Sequence, residues 1–257
     1  MDYEVCRKVW EAQVAVQFTI QGENNSLPFY TMLPRCSYFA LAMPKVVNFF
    51  ANRDDGEKIE LEKVWLEANG IPLKTYLPIG VLFDLHNSDS ETTWNVTVRT
   101  STPPTGYIPI DRDTMEAMFI QSVKEADYLK RKAETINQMQ KDEHNQLWNS
   151  IANNHFDDFW SVNKKLMDTS DKNFEYIPLR IYEKNKPFRQ TLVTSEDESG
   201  GLRTIVNAVM DVVGQAERPK TQIRLISHGI PLPFDTPLIF AAKNLSYPDN
   251  FVHIVLI

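Results

Sequence analysis

Lysine amines, two thiols and five imidazoles are among the side chains in this sequence whose types could do chemistry. The histidines show no spacing that metal ligation would require, and His155, in the run His-Phe-Asp-Asp, fits a helix surface better than a metal or acid-base pair. No phosphate-binding glycine loop, Gly-x-Ser-x-Gly elbow, His-Glu-x-x-His or Cys-x-x-Cys pattern occurs. We therefore expect no catalytic residue, no bound metal and no cofactor.

The two thiols, Cys6 and Cys36, are too few for a disulfide framework. A thiol that carries a thioester needs a polar and partly exposed setting, because the thiolate is the nucleophile. Cys6 lies near the start of the chain and Cys36 precedes an apolar helical pattern, so a packing role is favoured for both. A thioester-carrying conjugation enzyme that uses Cys36 remains an alternative.

Lys124 lies in a segment of about fifty residues with helical periodicity, from Asp113 to Met167. Asp113 followed by Glu116 predicts the start of a helix. At 100° per residue, one apolar stripe of that helix includes Met115, Met118, Phe119, Ser122, Ala126, Leu129, Ala133 and Ile136. Lys124 falls roughly 180° from the stripe and should face water.

Ile120 and Tyr128 lie one turn before and one turn after Lys124. The plain interpretation is a helix surface with a few stray apolar residues, and spacing alone favours it. The alternative is a docking surface centred on a lysine.

Composition describes an ordinary globular chain: 257 residues, 42% hydrophobic, 24% charged, with a formal charge of −7. That charge gives no general attraction to nucleic acid, and the one compact basic run, Lys130-Arg131-Lys132, is predicted to be a solvated helix face. No apolar run is long enough to span a bilayer, and the first residues lack the apolar core of a signal peptide. We expect a cytoplasmic protein whose contact with membrane is peripheral.

The segments before and after the helical stretch share one pattern of strand, strand, helix, strand, strand, which is the order of a β-grasp or ubiquitin-like domain. A short match supports a duplication: Gly-Ile-Pro-Leu at 70–73 recurs 159 positions later at 229–232. The predicted class is α+β, with two ubiquitin-like domains flanking a helix-rich one. The predicted boundaries are 1–100 for the N-terminal helix and first domain, 101–112 for a Pro-rich linker, 113–170 for the helices and 171–257 for the second domain.

Several long motifs, in order along the chain, resemble the autophagy protein five family. They include Leu33 to Tyr38 (LPRCSY), Tyr76 to Asp84 (YLPIGVLFD), Val123 to Lys130 (VKEADYLK), Ile136 to Lys141, Gln146 to Trp148, Phe156 to Trp160 (FDDFW) and Leu245 to Phe251 (LSYPDNF). The resemblance covers most of the chain. It implies the same fold of two ubiquitin-like domains around a helical one.

The resemblance also implies a function. In that family the lysine of the Lys-Glu-Ala-Asp motif, here Lys124, is joined by an isopeptide bond to the ubiquitin-like autophagy protein twelve. Ile120 and Tyr128 could then form part of the surface on which the modifier rests, with Arg131 adding a charge at its rim.

The conjugate is implied to bind a helix of the coiled-coil autophagy protein sixteen. Arg35, beside the first domain's helix, is our candidate for meeting an acid on that partner helix. With the pathway's conjugating enzymes, it would stimulate E3-like transfer of autophagy protein eight to phosphatidylethanolamine at the forming autophagosome membrane. The chain itself would be a non-catalytic subunit. A second alternative is an adaptor that binds a helix without any covalent step.

Overall fold

The computed structural model describes residues 1–22, 27–52, 64–87, 92–108, 111–170, 173–214 and 223–257. The chain divides into two compact units. Residues 12–117 form the N-terminal unit, and residues 1–11 together with 118–257 form the C-terminal unit.

The N-terminal unit is built on one mixed five-stranded sheet. After helix α1 (Tyr3–Glu11), which belongs to the other unit, the elements are β1 (Gln13–Ile20), β2 (Phe29–Pro34), α2 (Phe39–Ala51), β3 (Trp65–Ala68), β4 (Ile71–Pro72), α3 (Ile79–His86) and β5 (Trp94–Arg99). The strand order is β2-β1-β5-β3-β4, with β1 and β5 parallel at the centre and the other neighbours antiparallel. This is the β-grasp arrangement.

Side-chain alternation explains how this sheet holds its helix. Val14, Val16 and Phe18 on β1 are all buried, because residues two apart in a strand share a face. Phe18 meets Phe39 of α2 edge to face at 6.1 Å between ring centroids. Burial of such side chains contributes about 1.5–3 kcal/mol each, so this shared face holds α2 on the sheet.

The helical segment comprises α4 (Arg112–Arg131), α5 (Glu134–Gln138), α6 (Lys141–Ala152) and α7 (Phe156–Met167). Its start differs from the prediction: the carboxylate of Asp111, not Asp113, accepts the amide of Thr114 at 2.7 Å. That hydrogen bond holds the pKa of Asp111 below its usual value. The predicted break at Asn153-Asn154 is confirmed, since α6 ends at Ala152.

An unpredicted break separates α4 from α5. Lys132 and Ala133 have φ of 56° and 62°, which places both in the left-handed region. The carboxylate of Asp127 accepts the amide of Ile136 at 2.8 Å, and so stabilises the start of α5 inside the protein. Helical periodicity does not report such a break, because Ile136 still falls on the predicted apolar stripe and is buried as expected.

The C-terminal unit repeats the first sheet. Besides α1 and most of the helical segment, this unit contains β6 (Leu179–Glu183), β7 (Arg189–Gln190), α8 (Ile205–Val213), β8 (Leu225–Ser227), β9 (Ile230–Pro231), α9 (Leu238–Asn244) and β10 (Val252–Leu256). The strand order of its sheet is β7-β6-β10-β8-β9. Again the two central strands, β6 and β10, are parallel. The predicted fold class, two ubiquitin-like domains with a helix-rich segment between them in sequence, is confirmed.

The repeated Gly-Ile-Pro-Leu motif marks the same turn in both sheets. Asn69 and Gly70 have φ of 52° and 76°, and His228 and Gly229 have 52° and 78°. Two successive positive φ values are typical of the tight turn that joins antiparallel strands, here β3 to β4 and β8 to β9. The motif therefore has a structural cause, although the sequence pattern did not reveal that its Ile-Pro pair forms a two-residue strand in each copy.

Helix α1 packs within the C-terminal unit, although we grouped it with the first ubiquitin-like domain. Its Trp10 ring lies 5.0 Å from that of Phe159 and 5.8 Å from that of Phe156, both on α7. The Asp2 amide donates to the Asn244 side chain at the end of α9. The first eleven residues thus pack against the part of the chain that begins at residue 118.

Candidate functional site

Lys124 is exposed on α4, as the helical wheel predicted. Ile120 is half-buried and Tyr128 is 62% exposed. We call these three residues the lysine face. They present an amine between an aliphatic and an aromatic side chain, a composition suited to contact with another protein.

The opposite face of α4 is buried, but it is rotated from the predicted stripe. Met115, Phe119 and Ala126 are buried as predicted, whereas Met118 is exposed. The polar side chains of Asp127 and Lys130 are buried as well, and hydropathy patterns do not anticipate them.

Lys130 corrects the prediction that the basic run is a solvated helix face. It is 1% exposed. Its ammonium donates to the Asn250 side chain at 2.7 Å and to the Leu166 carbonyl at 2.9 Å, and it lies 3.5 Å from the sulfur of Met167. Desolvation by burial lowers the pKa of Lys130 to about 7. This amine joins α4 to the end of α7 and to the segment before β10.

Arg131, which is expected to add a charge at the rim of the docking surface, has several partners within its own chain. Its guanidinium donates to the carbonyls of Asp168 at 2.8 Å and Leu166 at 3.3 Å, and it lies 3.5 Å from the Asp127 carboxylate. It also lies 5.5 Å from the Phe174 ring. These contacts within the chain hold the half-buried Arg131 side chain and help to fix the point at which α4 ends.

Glu125, the residue after Lys124, takes part in a closed ring of hydrogen bonds. Arg180 Nη2 donates to Glu125 Oε2 at 2.9 Å, and Gln190 Nε2 donates to Glu125 Oε1 at 2.6 Å. Arg180 Nε donates to Gln190 Oε1 at 2.9 Å and completes the ring. The ring joins α4 to β6 and β7. No sequence pattern indicates it, because its other two members lie 55 and 65 residues from Glu125 along the chain.

A buried Tyr-His-Asp array lies behind that ring. The hydroxyl of Tyr182 is 2.7 Å from His253 Nδ1, and His253 Nε2 is 3.0 Å from the Asp249 carboxylate. Burial alone would raise the pKa of Asp249, but His253, Arg180 and the Phe251 amide together hold it below its ordinary value. All three residues are buried, so no substrate can reach the hydroxyl, and the array is part of the core.

Two other candidates from the sequence, Arg35 and Cys36, lie inside the protein. Arg35 is 5% exposed, is ion-paired with Asp84, and donates to the Gly80 carbonyl at 3.1 Å. It therefore has no free charge for an acid on a partner helix, and its role in the N-terminal unit is structural. Cys36 and Cys6 are buried, and burial raises the pKa of Cys6 to about 11, which disfavours the thiolate.

Metal-binding clusters and membrane-spanning helices are both absent from the described ranges. Histidine, cysteine, aspartate and glutamate side chains there form no cluster of three or more that could hold a metal ion. Among the helices in these ranges, each is too short or too polar to cross a membrane.

The fold and the lysine face first define a class of protein, in which one ubiquitin-like domain precedes a helical segment and a second one follows it. Family models identify the particular family. "Autophagy protein ATG5, UblA domain" matches residues 9–100, the alpha-helical bundle region of the same protein matches 112–169, and its UblB domain matches 176–256. The chain belongs to the autophagy protein 5 family.

Individual relatives agree along the whole chain. Autophagy-related protein 5 of Caenorhabditis elegans is 55% identical, over 100% of this chain and 98% of its own length. Autophagy protein 5 of Drosophila melanogaster is 34% identical, over 98% of this chain and 96% of its own. The crystal structure of Kluyveromyces marxianus Atg5 has the same fold, with a TM-score of 0.84, 20% identity and 99% coverage of both chains. The resemblance found in the motifs is confirmed, and membership of this family is consistent with a role in autophagy.

Proposed function

We propose that this chain is a scaffold that becomes covalently joined, through Lys124, to the ubiquitin-like autophagy protein twelve. The observation that carries the proposal is the exposure of Lys124 within the Lys-Glu-Ala-Asp motif, on a helix whose other lysine, Lys130, is buried. Membership of the autophagy protein 5 family supports it, since the motif lies in the region that matches the helical bundle model.

The bond would form by aminolysis of a thioester. The Lys124 nitrogen attacks the carbonyl carbon of the modifier's C-terminal thioester, a C–N bond forms, the C–S bond breaks, and the cysteine thiolate of the donor enzyme leaves. The Lys124 ammonium must first lose one proton to become a nucleophile, and a base of the donor enzyme takes it. The second proton is lost from the nitrogen as the amide forms, and it passes to the departing thiolate. This chain contributes the nucleophile and its position, as a non-catalytic subunit of an E3-like conjugate.

The lysine face supplies a surface for the modifier. Ile120 and Tyr128 would pack against an apolar patch of the attached protein and exclude water around the bond. Arg131 contributes by fixing the C-terminal end of α4 rather than by direct contact.

The assembled conjugate would bind a helix of the coiled-coil autophagy protein sixteen and would stimulate transfer of autophagy protein eight to phosphatidylethanolamine. In such an interaction the partner's amphipathic helix would lay its apolar face into a hydrophobic groove. In this proposal the chain is cytoplasmic and is recruited to the forming autophagosome membrane through its partners.

Electrophoresis of the protein from cells tests the covalent step. We expect a band that is heavier by the mass of one ubiquitin-like protein, that survives thiol reduction, and that is absent in Lys124→Arg but present in Lys132→Arg, an exposed control on the same segment. A heavier band that disappears on reduction and in Cys36→Ser would instead favour a thioester carrier. Normal autophagy in cells that show no heavier band would favour a non-covalent adaptor.

A further inference from the structure

Lys124 sits between two anchors on its own helix. Taking 100° per residue, Glu125 lies roughly 100° from Lys124 on one side and Lys130 roughly 120° away on the other. Glu125 is bound to β6 and β7, and Lys130 to α7 and the segment before β10. The helix is therefore held on both sides, and rotation that would move the Lys124 amine is opposed from each.

The Glu125 anchor is itself attached to a rigid part of the protein. Arg180 is largely buried, with its guanidinium 3.6 Å from the centroid of the Phe251 ring and 3.7 Å from the Asp249 carboxylate. Asp249 is bonded in turn to His253 on the central strand β10. The ring of Glu125, Arg180 and Gln190 thus fixes the residue beside Lys124 relative to the core of the C-terminal sheet.

The Glu125 side of the ring is partly exposed, which limits what its ion pair with the largely buried Arg180 adds to the folding free energy. Its geometry, by contrast, is specific: both carboxylate oxygens are engaged, by two different partners. An arrangement that adds little stability but fixes orientation is suited to positioning a reactive group.

We propose that Glu125 is a positioning residue for Lys124, which holds the acceptor amine at a fixed place by bonding α4 to Arg180 and Gln190 of the C-terminal sheet. The proposal rests on the proposed function of Lys124 as the acceptor. Glu125 does not contact the reacting atoms; it acts through the helix.

Single-turnover transfer tests the proposal. The donor is the purified conjugating enzyme already carrying the modifier as a thioester, and the acceptor is the full chain. We expect Glu125→Ala to slow formation of the Lys124 conjugate by roughly tenfold to a hundredfold at saturating donor, as expected for a misplaced nucleophile. Gln190→Ala, which breaks the ring from the sheet side without altering α4, should slow transfer in the same direction by a smaller factor.

Two controls separate positioning from general damage. Acetylation of Lys124 by an N-hydroxysuccinimide ester, followed by peptide mapping, should proceed at the same rate in Glu125→Ala, because it requires only exposure. Glu143→Ala removes an ion pair elsewhere in the same unit, that with Lys165 on α7, together with the bond that Glu143 accepts from the Gln140 amide. It should lower the Tm while leaving transfer unchanged.

The outcomes are distinguishable. If the unaltered chain forms no conjugate at Lys124, the proposed function fails and the positioning role fails with it. If the unaltered chain is conjugated and Glu125→Ala reacts equally fast, the positioning role alone is overturned. Equal slowing of enzymatic transfer and of chemical acetylation would also overturn it, because the amine would then have lost its exposure.

Discussion

At the scale of single residues, two lysines six positions apart on α4 have opposite environments. Lys124 is exposed between Ile120 and Tyr128, whereas Lys130 is enclosed by the ends of other elements. Only the exposed amine can reach a large donor such as an enzyme-bound thioester. Of the two lysines on α4, only Lys124 is therefore accessible enough to be the proposed acceptor.

The buried Lys130 predicts a specific pH dependence of stability. The folded state releases this proton near pH 7, whereas the unfolded chain holds it up to about 10.5, so between these values the unfolded state binds more protons. Stability therefore rises with pH across that window. Asp127 and Asp249 oppose the loss of the proton, while Arg131 favours it. From pH 7 to pH 8.5 we expect the free energy of unfolding to gain roughly 1 to 2 kcal/mol from this group.

Denaturant unfolding at a series of pH values checks this contribution. The gain should be lost in Lys130→Met and kept in Lys132→Met, which alters an exposed lysine two residues further along. Equal pH slopes in the parent chain and in Lys130→Met would show that Lys130 does not change its protonation in this range.

At the scale of elements, local signals in the sequence were informative where structure is determined locally. The long helix α4, the break at Asn153-Asn154 and most strands follow from periodicity and turn residues. The ring around Glu125 and the pairing of Arg35 with Asp84 were not predictable, because the partners of each lie far along the chain. A pattern confined to one element shows which face is apolar, but not which polar group will be buried against it.

Helix α1 gives a prediction at this scale. Trp10 is 5% exposed and packs on Phe156 and Phe159, so Trp10→Ala should destabilise the C-terminal unit by about 3–5 kcal/mol. Hydrogen exchange should become faster in the amides of α7 and remain unchanged in those of β1, although β1 is the element that follows α1 directly. Tyr30→Ala, at an exposed aromatic residue of β2, serves as the control and should leave both unchanged. Faster exchange in β1 alone would contradict the placement of α1.

At the scale of the whole molecule, a duplicated ubiquitin-like fold is combined with one helical segment that carries the candidate site. The duplication was visible in the sequence because Gly70 and Gly229 each occupy a left-handed position in the same turn. The boundary of the first domain was less visible, since α1 precedes that domain in sequence but packs elsewhere. Family membership then joins this architecture to autophagy, and the proposed acceptor role of Lys124 links it to a chemical step that can be measured.

Peptide mapping by mass spectrometry of the intact protein isolated from cells is the most direct test of this account. We expect a branched peptide in which the ε-nitrogen of Lys124 carries the C-terminal residues of a ubiquitin-like protein, and we expect no such branch at Lys130 or Lys132. A Lys124 peptide recovered wholly unmodified under conditions that induce autophagy, or a branch at another lysine, would contradict it.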